Sequence, residues 1–171
     1  MSILEQAEQV VVEAQEKQAL APTATTFDVL AYERGILSIL LAWGVGSVVY
    51  GIRQMSHEAP EAKGAATQHI AWGAIDAALA INGLKNNRAQ QIDYDNGSIL
   101  EYKLNRKATM LETILWVNTG LDVLYMAWGN SLTHDERPQR KGWGKAIIAQ
   151  GLFLFLFDGI SAYRLRKKRN G

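Results

Sequence analysis

The chain contains no cysteine, which excludes disulfides, thiolate zinc sites and cysteine nucleophiles and leaves the redox compartment undecided. Its three prolines, Pro22, Pro60 and Pro138, all fall in polar stretches between long apolar runs. Histidine is as sparse, and only His69 lies inside an apolar run. A pair of axial histidines for a b-type haem is therefore not available within the runs. No glycine-rich phosphate loop, HExxH or Ser-His-Asp arrangement occurs, so no catalytic residue is assigned and the protein is not expected to be an enzyme. The first residues carry glutamates in place of the basic and apolar regions of a signal peptide, position 2 is not glycine, and the C-terminus has no lipidation box. Membrane insertion would rely on internal segments. A formal net charge of +1 gives no reason to expect nucleic-acid binding.

What is present is apolar material in four blocks. The 171 residues suit one domain, and 48% of them are hydrophobic. The mean hydropathy of −0.09 reflects polar ends and loops diluting short spans. Residues 146–163, AIIAQGLFLFLFDGISAY, carry Asp158 as their only formal charge and run straight into the cationic RLRKKR. A helix needs about 20 such residues to cross a hydrocarbon core of about 30 Å. Runs at about 30–52, 66–84 and 110–130 share this habit, with the last one over about 144–163. The expected fold is all-α, a bundle of four transmembrane helices over 27–171, preceded by a cytoplasmic amphipathic helix and linker over 1–26. That first helix follows from Ile3, Ala7, Val10 and Ala14 on one face and Glu5, Glu8, Glu13 and Glu16 on the other. Its acidity suits docking on protein rather than on anionic lipid.

Each run also carries a stripe of small or polar residues at spacings of three and four. Gly35, Ser38, Ala42 and Gly46 mark the first, open either to packing inside the bundle or to a second copy. His69, Gly73, Asp76, Ala80 and Gly83 mark the second, Asn118, Asp122, Tyr125 and Gly129 the third, and Gly144, Ile147, Gly151, Leu154, Asp158 and Ser161 the fourth. A polar stretch over 85–107 is expected to turn at Asp95, Asn96 and Gly97, with the Ser98 and Glu101 capping-box spacing starting the third helix near Ile99. Pro138 is expected to break any helix in the third loop. Lysines and arginines concentrate around 85–107 and in 164–169, which places both termini in the cytoplasm by retention of basic residues on that side.

The candidate site is an intramembrane polar core of Asp76, Asp122 and Asp158 with His69, Asn118, Gln150 and Arg34. An ionised carboxylate at mid-bilayer is unfavourable by about 2.5–3.5 kcal/mol even on insertion scales, so these acids are expected to face inward. Two roles are open. They form a proton or cation relay, or they fix helix register, with Arg34 pairing Asp158 and with Asp76 and Asp122 bonding to Asn118, His69, Trp72 or Trp116. A metal held by His69 and the aspartates lacks the paired Glu-x-x-His signature of bundle sites, and no metal is assigned. No cofactor follows from the sequence, although His69 would suit a single-histidine pigment.

The strings NTGLDVLYMAWG (118–129) and GWGKAIIAQGLFLFLFD (142–158), with WGAID (72–76) as the matching element of the second helix, resemble a family of small, uncharacterised bacterial four-helix integral membrane proteins. The resemblance covers about 32–158 and implies a fold and a bacterial inner membrane, with no activity to carry over. The expected function is that of a small multi-pass inner-membrane protein acting as a non-catalytic accessory or assembly subunit, with lipid and other membrane subunits as partners and homo-oligomerisation left open. The alternatives are a proton- or cation-coupled transporter or channel using the aspartates, and a cofactor- or lipid-binding bundle.

Overall fold

The structure is a computed structural model and describes residues 28–170. The expected amphipathic helix over 1–26 lies outside the described residues. Among them are four helices and no strand: α1 (Val29–Gln54), α2 (Pro60–Asp95), α3 (Glu101–Thr133) and α4 (Pro138–Asn170).

Every helix outlasts the apolar run that announces it, because polar flanks with good helix propensity continue the backbone hydrogen bonding beyond the apolar limit. Asp28 caps α1 by accepting from the Ala31 N–H at 2.8 Å. Pro60 opens α2, and Pro138 opens α4 rather than interrupting a loop, since a first-turn position has no use for the N–H that proline lacks. The polar stretch from residue 85, beyond the expected span of about 66–84, is helical to Asp95. The turn falls where expected: Gly97 takes φ +70°, its N–H bonds to the Tyr94 carbonyl at 2.9 Å, and the Ser98 N–H bonds to that of Asp93 at 2.8 Å. This is a Schellman closure, which needs a residue in the left-handed region. It displaces the expected capping box; α3 starts at Glu101 after Leu100, with no side-chain cap.

The short connections make antiparallel hairpins of α1 with α2 and of α3 with α4, and α2 against α4 joins the two hairpins into a bundle. Glycines set the crossings. A Cβ on Gly73 would sit 2.6 Å from the Gly44 carbonyl oxygen, and one on Gly44 2.7 Å from that of Gly73, so α1 and α2 meet backbone to backbone. Gly129 and Gly144 do the same for α3 and α4.

The partition of residues is inverted relative to a water-soluble bundle. Along the middle of the bundle most buried positions are small or polar: Gly44, Ser47 and Gly51 on α1, Gly73, Asp76 and Ala80 on α2, Asp122 and Gly129 on α3, with Ile147 on α4 a buried apolar exception. Large apolar side chains point outward, as with Val49 (61% exposed), Leu79 (60%) and Leu124 (64%). Among the described residues larger apolar clusters gather toward one end, where Leu115, Ala162 and Leu165 pack with Tyr32 and Ile36. Helices α1 and α4 are long and apolar enough to cross a membrane. In α2 and α3 the inward-facing polar residues lower the mean hydropathy, while Ile75, Leu79, Val117, Leu121 and Leu124 remain on the outside.

Candidate functional site

Three helices each place one aspartate in the interior. Asp76 comes from α2, Asp122 from α3 and Asp158 from α4, exposed by 5%, 3% and 6%. Each rides on the inward stripe of its helix. Gly73 and Ala80 flank Asp76 at three and four residues, and Gly151 brings α4 close enough for an added Cβ to lie 3.4 Å from the Asp122 carbonyl oxygen. Asp76 Oδ2 and Asp122 Oδ2 are buried with no hydrogen-bond partner among the described residues. Among the described residues no three His, Asp or Glu side chains are grouped to hold a metal ion.

Three of the expected partners of these acids, Arg34, Trp72 and His69, have contacts elsewhere. Arg34 does not reach Asp158: its Nε donates to Asn87 Oδ1 at 3.4 Å and its terminal nitrogen to Gln91 Oε1 at 3.0 Å. The cause is topological, for α1 packs along α2 and turns Arg34 toward that neighbour. Trp72 meets Tyr125 edge to face at 5.4 Å, and Trp116 is 43% exposed. Asn118 is half-buried on α3.

His69 belongs to a second polar chain. Trp43 Nε1 donates to Gln150 Oε1 at 2.6 Å, and Gln150 Nε2 lies 3.3 Å from His69 Nδ1. An indole can only donate, so the Gln150 oxygen must face Trp43 and its amide nitrogen must face His69. Nδ1 of His69 is then the acceptor, and the ring proton sits on Nε2. Tyr50 meets this ring edge to face at 5.0 Å, and Phe153 stacks on Trp43 at 3.7 Å. Gln150 thus ties α1, α2 and α4 together, a role its sequence position in the fourth run did not disclose.

A third polar group lies at the end of the bundle holding the start of α1. Asn87, 1% exposed, donates to the Leu30 carbonyl at 2.9 Å and to Glu33 Oε2 at 2.6 Å, and Glu33 pairs with Lys107 at 2.8 Å. Asn87 continues the α2 stripe four residues after Gly83. That spacing was present in the sequence but stood beyond the apolar limit. Outside the runs, Asp135 accepts from the Arg137 side chain and from its N–H at 2.9 Å, and these bonds hold its carboxyl well below the usual carboxylate range.

Residues 39–159 match a described family. The chain belongs to the family of unknown function DUF6992. The part shared with DUF6992 takes in all three aspartates, His69, Gln150 and Asn87, and leaves out Arg34 and the cationic tail. No curated protein and no solved structure matches the chain.

Proposed function

We propose that this DUF6992 protein is a four-span bundle of the bacterial inner membrane, with both termini cytoplasmic, that binds other membrane proteins as a non-catalytic accessory or assembly subunit. Immersion of all four helices in lipid accounts for the inverted partition, because lipid tails tolerate exposed Leu and Val while polar side chains and backbone seek partners inside. The observation that carries the binding role is the open face of α1. Gly35, Ser38, Ala42 and Gly46 are exposed, and a Cβ on Gly35 or Gly46 would meet nothing within 4 Å. At about 100° per residue these four lie opposite Gly44, Ser47 and Gly51, which make the contact with α2. In lipid a small-residue stripe lets another helix approach closely and gains packing that a lipid chain does not supply.

Purification of the full chain from native membranes in mild detergent, with identification of what accompanies it, tests this reading. A stoichiometric membrane partner or a second copy is expected, released by Gly46→Leu. A lone monomer, or a complex indifferent to Gly46→Leu, overturns it, and recovery of the folded chain from the aqueous fraction without detergent removes its membrane premise.

A second reading has its own support in the two orphaned carboxylate oxygens and the diversion of Arg34 away from them. In it the three aspartates pass a proton or cation between helices. Liposomes holding the Asp76→Asn, Asp122→Asn, Asp158→Asn protein should then lose the flux seen with the natural chain, and equal flux in both sinks the relay.

A further inference from the structure

We propose a binding site for one anionic phospholipid of the cytoplasmic leaflet, in the groove between the start of α1 and the end of α4, with its phosphate held by Arg164 and Lys168. The proposal rests on the membrane placement above but not on a protein partner.

The groove encloses about 470 Å³, within the range of about 300–1,000 Å³ usual for ligand pockets. Its floor is fixed by the Tyr32 hydroxyl, which donates to the Ser161 carbonyl at 2.7 Å and so joins the two helices. One end is cationic. Arg164 and Lys168 stand four residues apart on one face of α4, both exposed, with Lys168 Nζ 5.6 Å from the centre of the Tyr32 ring. The other end is apolar: Gly35, Ile36 and Ile39 continue the groove along α1 away from these cations. Because α1 and α4 run in opposite directions, rising numbers on α1 lead into the apolar band while rising numbers on α4 lead out of it.

A headgroup phosphate above an acyl chain has this same polarity, and basic clefts between helices at the cytoplasmic face suit anionic headgroups. The acid at the rim, Asp28, has its carboxylate turned to the Ala31 N–H. Arg169 is paired with Glu112 at 2.7 Å and Lys107 with Glu33, whereas among the described residues no carboxylate forms an ion pair with Arg164. Arg166 and Lys167 share the tail but do not line the groove.

The test uses the full chain, delipidated in mild detergent and mixed in turn with phosphatidylglycerol, phosphatidylcholine and inorganic phosphate, with retained ligand read by native mass spectrometry. Phosphatidylglycerol should be retained one per chain, phosphatidylcholine much less, and inorganic phosphate not at all. The Arg164→Gln, Lys168→Gln protein should retain phosphatidylglycerol about thirtyfold more weakly. Gly35→Leu should also lose it with no change of charge, since its side chain would extend into the groove without meeting protein atoms within 4 Å of the Cβ. Arg166→Gln, Lys167→Gln should keep it. Equal loss in that control pair would mean diffuse attraction to the tail and overturns the site, as does retention undiminished by Gly35→Leu or binding of inorganic phosphate matching that of the lipid. A chain that folds without detergent removes the membrane premise itself, an outcome distinct from a detergent-dependent chain that retains no phosphatidylglycerol.

Discussion

Gln150 shows how one amide fixes three helices. Its oxygen faces a group that can only donate and its nitrogen a ring that here accepts, so the shape of the amide orders Trp43 on one side and His69 on the other. Gln150→Leu leaves the part-buried Trp43 N–H without its acceptor and should destabilise the bundle by about 1–3 kcal/mol, measured by chemical unfolding in detergent. The aspartates predict otherwise. Among the described residues Asp122 forms no ion pair, so Asp122→Asn removes none and should leave stability within about 1 kcal/mol. A loss of about 3–5 kcal/mol, the usual result of breaking a buried ion pair, would reveal a partner for it.

At the scale of the helix, glycines divide into those that permit contact and those that face outward. Gly73→Ala would drive a methyl group to 2.6 Å from the Gly44 carbonyl and should destabilise by about 1–3 kcal/mol, the ordinary penalty of overpacking. Gly46→Ala meets nothing and should be neutral or stabilising by up to about 1 kcal/mol through helix propensity; thermal unfolding of the two proteins side by side reads the contrast. The start of α4 depends on pH. The Asp135 carboxyl is depressed by its bonds to Arg137, so its contribution is present above the ordinary carboxylate value of about 3.9 and is lost as pH falls below it toward the folded value. Asp135→Asn should fray the first turn at neutral pH, seen by NMR as loss of protection of the Arg140 and Lys141 amides, which bond to the Arg137 carbonyl, and the natural chain should show the same fraying only in acid.

For the whole molecule, the freedom from cysteine makes topology directly measurable. The connections 55–59 and 134–137 lie at one end of the bundle, and 96–100 lies with the chain's cationic tail at the other. Single substitutions Ser56→Cys and Glu136→Cys should react with an impermeant maleimide added outside intact spheroplasts, while Asn96→Cys should react only after lysis. The reverse pattern would invert the orientation read from basic residues.

The sequence by itself determined that the chain holds four helical segments and set Asp76, Asp122 and Asp158 on stripes that turn inward, because these follow from local spacing and from the free energy of burying charge. By its pattern all four segments read as membrane spans, and two of the helices, the first and the last, are long and apolar enough for that. Helix ends were legible only to the limit of the apolar runs, since a helix continues on backbone bonding after its hydrophobic face has ended; Asn87 was missed for that reason. Only the tertiary structure decided which helix neighbours which. Pairing α1 with α2 sent Arg34 to Asn87 and Gln91 in place of Asp158, turned Gly44 inward and Gly46 outward, and opened the groove beside Arg164. Such choices rest on contacts between residues far apart in the chain, and no local pattern contains them.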